Sequence, residues 1–429
     1  MCLRSQPAQD ERESARSEGR HAGASERLFV GLPNPTLYYM RLSSRAKSVS
    51  PSLTLAITAK AKKMKSSDID VVSFGSGEPD FDTPDYIKLA AIKSIQQGFT
   101  KYTAESGTDE LKNAICDKFQ KDNGLVYSPS QIVVSCGAKH SLYNIIQAVC
   151  EKGDEVIIPS PYWLSYPEMV NLAEAKPVFI ETDDSSGFRI SASDLKKVIT
   201  KNTKILIINS PSNPTGSIYA KKELMELGKI AASKGILIIS DEIYEKIIFD
   251  GNSHISIAAL GEDIFKNTIV VNGVSKSFAM TGWRIGYLAT SNNELVAAIK
   301  NIQSHSTSNP ASISQMAALE ALRNKDTAIV DNMRNEFEKR RDYIVNRINK
   351  IKGLSCLKPE GAFYVFCRIH KKGLSSMEVT DKLLDETKVA VVPGKVFGSD
   401  SHIRLSFATS MENIKKGIDR IEEWFNKNG

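Results

Sequence analysis

Two cationic side chains, eight residues apart, could do chemistry in this chain. Lys276 stands between two serines in Val271-Asn-Gly-Val-Ser-Lys-Ser-Phe, just past the apolar run Thr268–Asn272, with few other charges nearby. An amine in apolar surroundings gives up its proton more readily, because desolvation penalises the ammonium form. The free amine is a nucleophile that forms a Schiff base with an aldehyde. Arg284 precedes a second apolar run, Ile285–Ala289, and its guanidinium presents a rigid fork of donors that matches a phosphate. Aldehyde and phosphate in one small molecule point to pyridoxal 5′-phosphate. A snorkelling lysine beside an exposed arginine is the commoner arrangement in proteins. The reading therefore depends on other residues converging here.

Several do, at the ends of other apolar runs. Gln131–Ser135 leads into Cys136-Gly137-Ala138-Lys139, a glycine turn opening a helix whose free N–H groups suit a phosphate. Lys204–Asn209 leads to Asn213-Pro-Thr-Gly216, and Gly235–Ser240 leads to Asp241-Glu-Ile-Tyr244. Ligands of open α/β sheets bind beyond the carboxyl ends of the strands. An anion nest, an amide, a carboxylate with a tyrosine, and a lysine would meet at that edge. Singly, each has an ordinary alternative: the Asn213 stretch is a common turn, Asp241 could cap a helix, and Tyr244 could be core.

The elements that would position these residues follow from the pattern. Seven short apolar runs (Gln131–Ser135, Glu155–Ile158, Pro177–Ile180, Lys204–Asn209, Gly235–Ser240, Thr268–Val271, Ile285–Ala289) are mostly separated by helix-like segments such as Ser141–Glu151 and Lys221–Lys234. Buried strands joined by crossover helices make a mainly parallel α/β sheet. Pro51–Lys65 reads as a short helix. Thr108–Lys121 reads as an amphipathic one, with Leu111, Ile115 and Phe119 on one face. Val71–Pro84 reads as a strand running into a Gly/Pro turn, and its Gly75-Ser-Gly77 is a weak dinucleotide signal without a third glycine opening a helix. A long helix, Asp326–Lys350, precedes a smaller α+β unit over 355–429 that ends in the helix Met411–Asn428.

Composition excludes several other classes. A length of 429 residues favours two domains of unequal size. Hydrophobic content of 41% and charged content of 25% are those of a globular enzyme. The net charge of +6 is spread along the chain, and no basic block is interleaved with aromatics as a nucleic-acid groove requires. No apolar run is long enough to span a bilayer. The six cysteines are scattered, with no Cys-x-x-Cys and no metal-like His/Cys spacing; buried thiols in a reducing cytosol and no metal site are expected. Residues 1–40 stand apart. Within them Gln6–Glu26 is rich in Arg, Ser, Glu, Ala and Gly, and the segment is too acidic for a transit peptide, so a disordered extension is expected, with Met40 as the initiator.

Together these motifs resemble the class I aminotransferases of the pyridoxal-phosphate fold type I, in the bacterial-type aspartate aminotransferase branch. The likeness runs from about Met40 to the C-terminus. It is carried by Gly273-Val-Ser-Lys276-x-x-Ala-x-x-Gly282-x-Arg284-Ile-Gly, Gly77-Glu-Pro-Asp-Phe-Asp-Thr-Pro84, Tyr102 and Ser160-Pro-Tyr-Trp163-x-Ser-Tyr-Pro167. Asn213-Pro-Thr-Gly216, Ser240-Asp-Glu-Ile-Tyr244 and Ile403-Arg404-Leu-Ser-Phe-Ala-Thr409 match as well. The other main aspartate aminotransferase branch carries a serine where this chain has Gly273.

The resemblance implies a role for each residue. Lys276 would hold the cofactor and then shuttle a proton, Asp241 would pair with the pyridine nitrogen, and Tyr244 and Asn213 would donate to the ring oxygen. Trp163 would stack on the ring. Arg284, Ala138, Lys139 and Ser275 would bind the phosphate, with Tyr102 reaching it from the partner subunit of a homodimer. Arg404 would clamp the substrate α-carboxylate, Gly77 would close over it, and Lys139 with Thr54 would take a distal carboxylate. The implied fold is a large cofactor domain over 83–324 and a small domain from 41–82 and 325–429. The implied reaction is ping-pong amino transfer in the cytoplasm, between aspartate or glutamate and a 2-oxo acid. Prephenate is a further acceptor for relatives carrying the Lys139/Thr54 pair. Other amino-acid substrates, or a β-lyase on the same fold, are the alternatives.

Overall fold

The computed structural model describes residues 41–51, 53–371 and 373–428, with Leu55 described in its backbone alone. The expected extension over 1–40 lies outside the described residues. Residues 43–429 make one contact unit.

After the helix Leu53–Ser66 comes a two-residue strand, Val72–Ser73 (β1), much shorter than the strand expected over this stretch. The seven apolar runs all become strands: Ile132–Ser135 (β2), Glu155–Ser160 (β3), Lys176–Glu181 (β4), Thr203–Asn209 (β5), Leu237–Asp241 (β6), Thr268–Gly273 (β7) and Gly286–Ala289 (β8). They form one sheet in the order β2-β8-β7-β6-β5-β3-β4. Helices cover both faces, so the central strands are apolar throughout: Ile205 to Ile208 and Ile269 to Val271 are all buried. Pro177 sits in β4, the edge strand, where a missing N–H costs no ladder bond. Only β8 runs against its neighbours, antiparallel to both β2 and β7.

The amphipathic helix over 109–118 begins at Thr108, whose Oγ1 accepts from Leu111 N–H at 3.3 Å, and it buries Leu111 and Ile115. It gives way to a wider turn over Phe119–Asn123 that ends at Gly124, short of a continuous helix to Lys121.

The long helix spans Ala328–Ile348, two residues inside the expected start; Thr327 is its N-cap, and Asp326 before it accepts from Ala328 N–H at 2.9 Å. Beyond it, Leu354–Cys356 (β9), Tyr364–Ile369 (β10), Val389–Ala390 (β11), Val392–Pro393 (β12) and His402–Ser406 (β13) complete the strands. Four of these form an antiparallel sheet, β12-β13-β10-β9, while β11 pairs in parallel with β1. The last helix, Met411–Asn428, buries Ile414, Ile418, Ile421, Trp424 and Phe425, one apolar face at helical spacing. Among the described residues no helix is long and apolar enough to cross a membrane.

Candidate active site

The carboxyl edge of the central sheet gathers the polar residues. β2 ends at Ser135, β5 at Asn209, β6 at Asp241 and β7 at Gly273. β8 starts at that same edge, with Gly286 paired to both Ser135 and Gly273. Its reversed direction is what brings Arg284, two residues upstream, to the strand ends. Gly273 lies in contact there. A Cβ on it would stand 3.0 Å from both Gly286 Cα and Ile285 O, so the serine of the other branch would crowd two backbone atoms here.

A cleft of about 500 Å³ opens over this edge, and Lys276 and Asp241 both line it. Lys276 is half-buried. Its Nζ donates to the carbonyl of Gly77 and lies 5.8 Å from the ring centroids of Tyr244 and Phe363. Burial lowers its pKa to about 8, with Glu78 opposing and Arg284 and Arg404 assisting. Asp241 is buried. Its Oδ2 accepts from Tyr166 Oη at 2.7 Å and its Oδ1 from Ile243 N–H at 3.3 Å. Burial pushes its carboxyl up to about 6, against the Tyr166 hydrogen bond. An amine and an acid, both driven by desolvation towards neutrality, mark a place built for proton movement.

Beside them is an anion cradle. Gly137, at φ 87°, opens the helix Ala138–Val149, and a Cβ there would stand 2.5 Å from Arg284 Nη2. Arg284 is fixed by the carbonyls of Thr281 (3.0 Å) and Cys136 (3.3 Å), so its remaining donors face the helix N-terminus. Ser275, Ala138 and Lys139 line the same wall. Lys139 Nζ lies 4.9 Å from the Trp163 ring centroid, and burial followed by Arg284 lowers its pKa.

Arg404 forms the opposite wall. It is 3% exposed. Nη1 donates to Asn213 Oδ1 at 2.9 Å and Nη2 to Gly75 O at 3.3 Å. The guanidinium lies 4.4 Å from the Tyr364 ring centroid, and its buried Nε has no partner among the described residues. Burial lowers its pKa. A desolvated fork with a donor to spare suits a carboxylate. Thr54 and Gly77 complete the cleft mouth.

Tyr102, which the resemblance assigns to the partner subunit's cleft, stands outside this one. Tyr102 is 90% exposed and is not among the cleft-lining residues. Three residues of the site carry no sequence signal as functional groups. Tyr166 stands beside Trp163 in a motif whose pattern gives its hydroxyl no task. Tyr364 Oη meets Tyr244 Oη at 2.8 Å, but in Gly361-Ala-Phe-Tyr364 it reads as core. Glu78 Oε2 accepts from Thr281 Oγ1 at 2.8 Å, across the mouth of the cleft.

A second, larger cavity of about 680 Å³ lies behind the lysine loop, lined by Gly273, Ser277 and His254 among others. Glu242, Glu245 and His254 bring ligand atoms within 4.8 Å of one another beside it, a convergence that sequence spacing does not reveal. These groups serve one another. Glu242 accepts from Ser240 and Ser256 and meets His254 Nε2 at 2.9 Å, and Glu245 is ion-paired with Lys118.

Comparison with known proteins places the chain in a family. Residues 69–421 match the family model described as aminotransferase class I and II. The chain is 50% identical over 388 residues to the aspartate aminotransferase of Bacillus sp. (strain YM-2), covering 89% of this chain and 98% of that one. It is 45% identical over 394 residues to the aspartate/prephenate aminotransferase of Nitrosomonas europaea, covering 89% and 99%. Among solved structures, the aspartate aminotransferase of Thermus thermophilus with maleate superposes with a TM-score of 0.86 at 40% identity, covering 89% and 99%.

Proposed function

The chain belongs to the class I and II aminotransferases, and from that premise we propose how its own residues run amino transfer on acidic substrates. It is an aminotransferase acting on aspartate, and pyridoxal 5′-phosphate is its cofactor. The residues fit that group: the Gly137 cradle beside Arg284 takes a phosphate, and the buried Asp241 can face a ring nitrogen. Bound there, pyridoxal phosphate supplies an electron sink for the charge left when the substrate carbon loses its proton.

Each side chain then has a task. Arg284, Ser275 and the N–H groups at Ala138 hold the phosphate. Asp241, steadied by Tyr166, keeps a proton on the ring nitrogen, and Tyr244 and Asn213 donate to the ring oxygen while Trp163 covers one face. Lys276, whose pKa near 8 leaves part of it as free amine at neutral pH, holds the cofactor at rest and afterwards carries the proton at Nζ. Arg404 clamps the α-carboxylate with its fork. Gly77 closes over the site.

One observation carries the substrate reading: Arg404 and Lys139, two desolvated cations, line one cleft. A single α-carboxylate needs one of them, and the second suits the distal carboxylate of aspartate or glutamate, with Thr54 beside it. The maleate of the Thermus thermophilus structure is likewise a dicarboxylate, and the Nitrosomonas europaea relative is named for prephenate, a dicarboxylate too.

Two bodies, 83–324 and the pair 41–82 with 325–429, belong to the same proposal. Their support is the parallel β1–β11 pairing, which joins the two chain ends. A homodimer belongs to it as well. The helix Asp85–Gln96 leaves Leu89, Ile92 and Ile95 exposed on one side, and Tyr102 stands outside its own cleft. A second copy would cover the first and receive the second. A cytoplasmic setting completes the proposal.

The test is a half-reaction screen. The cofactor-loaded protein is mixed with single amino acids and the cofactor absorbance is followed. Aspartate and glutamate should convert it fastest, and recovery should require one 2-oxo acid per turnover. Repeated consumption of the amino acid with no 2-oxo acid supplied would point to a lyase.

A further inference from the structure

Cys356 on β9 stands directly opposite Cys367 on β10, and β9 is the edge strand of its sheet. In an antiparallel ladder, opposed pairs that exchange backbone hydrogen bonds alternate with pairs that do not. His370 N–H donates to Gly353 O at 2.9 Å, so Gly353 and His370 form a bonded pair. Alternation makes Ser355 and Arg368 the next bonded pair. Cys356 and Cys367, one step further, are then a non-bonded pair.

Two other contacts agree with that parity. The Cys356 backbone turns away from β10, its N–H donating to Asn349 Oδ1 at 2.8 Å and its carbonyl accepting from Asn349 Nδ2 at 3.1 Å. On β10, Ile369 N–H donates outward to Ser401 O at 2.8 Å, and Cys367 shares its direction, towards β13. Cα atoms of non-bonded pairs lie about 4.5 Å apart with their side chains on one face. That separation falls within the roughly 4.4–6.8 Å that disulfides bridge. Both thiols are free and belong to the same buried cluster.

We propose that Cys356 and Cys367 are a cross-strand disulfide site, closed by hydrogen peroxide and reopened by dithiols. Cys356 is 9% exposed at the sheet edge and Cys367 is fully buried, so Cys356 meets the oxidant first. Its thiolate attacks one peroxide oxygen, the O–O bond breaks, and the hydroxide that leaves takes a proton to become water. The resulting sulfenic acid is attacked by Cys367 Sγ. The S–S bond forms, the S–O bond breaks, and a second water departs with the Cys367 proton. Two thiols lose two electrons and two protons, and peroxide is reduced to two waters. Burial, and then the adjoining Cys356 thiol, push the Cys367 thiol upward, which makes it the less reactive partner towards peroxide.

The cross-link closes the segment that carries Tyr364 to the cleft, and it fastens the strand paired with Arg404. Cross-linking restricts the unfolded chain, so the oxidised protein should resist denaturant better than the reduced one.

The full chain, folded, is treated with hydrogen peroxide, alkylated in denaturant, digested and weighed. The expected result is the loss of two alkylatable thiols and a linked peptide pair holding Cys356 and Cys367, lighter by two hydrogens and separated by dithiothreitol. The urea midpoint should rise on oxidation, and Cys356→Ala should abolish the rise. Full alkylation of both cysteines after peroxide would overturn the proposal. So would either residue recovered as a sulfinic acid or bridged to another cysteine. Should Cys356→Ala fail to fold, the peptide map of the unaltered chain decides alone.

Discussion

Tyr166 Oη donates to Asp241 Oδ2 at 2.7 Å, so the carboxylate that ends β6 is steadied by the helix Ser165–Leu172. Both side chains are buried. The phenol opposes the cost of desolvating the charge, yet burial still holds the Asp241 carboxyl near 6, above its ordinary 3.8.

That elevation makes stability depend on pH. With its pKa raised on folding, Asp241 binds more protons in the native chain than in the unfolded one between its ordinary value of 3.8 and about 6. Its contribution to stability is therefore present below the lower value and is lost as pH rises through the upper one. In cofactor-free protein, the urea midpoint of the native chain relative to Asp241→Asn should fall across this window and level off above it. A tenfold change in proton affinity corresponds to about 1.4 kcal/mol. Tyr166→Phe removes a bond that favours the charged form, so its window should extend to higher pH. Parallel pH profiles for the native chain and Asp241→Asn would show that the carboxylate is not desolvated.

The cradle makes a steric prediction. In Gly137→Ala the new methyl would stand 2.5 Å from Arg284 Nη2, on a backbone at φ 87°. Arg284 must swing away from the helix N-terminus, and the residue itself is strained by about 1–3 kcal/mol. Cofactor affinity should fall, by roughly 5- to 150-fold for a loss of about 1–3 kcal/mol in binding. Equilibrium dialysis against pyridoxal phosphate measures it, and undiminished affinity would place the phosphate elsewhere.

Lys139 and Arg404 should fail in different ways. Lys139→Ala should lower kcat/KM for aspartate far more than for phenylalanine, since only aspartate carries the distal carboxylate. A charged hydrogen bond is worth about 1.5–3 kcal/mol, or roughly 10- to 150-fold. Arg404→Lys trades a desolvated fork for a point charge and should penalise both substrates alike. Equal losses for the two amino acids in Lys139→Ala would confine Lys139 to the phosphate.

Much of this site is legible in the amino-acid sequence. Lys276, Asp241, Asn213 and Arg284 are each tied to the end of a short apolar run, and their side-chain chemistry travels with local sequence. Sheet edges collect such residues whatever the details of packing, so the part of the cleft built by Lys276, Asp241 and Asn213 can be assembled from run ends. The helix Met411–Asn428 is equally plain, because its apolar spacing is strong and continuous. The β1 segment is shorter than its apolar run suggests: Gly75-Ser-Gly77 follows at once, and only Val72 and Ser73 find a partner strand.

Other features required the fold. The reversal of β8 is invisible in an apolar run, which reads the same in either direction, yet it brings Arg284 to the site. Tyr166 and Tyr364 look like core aromatics, and only their long-range partners, Asp241 and Tyr244, give their hydroxyls a task. The scattered cysteines likewise carry no spacing signal; strand register alone sets Cys356 against Cys367. Sequence by itself determined which residue types stand at the strand ends, because a residue's chemistry and its place in a periodic run are local properties. Strand direction, register and partnership were decided by tertiary structure, because each depends on a hydrogen-bond or packing partner far away along the chain.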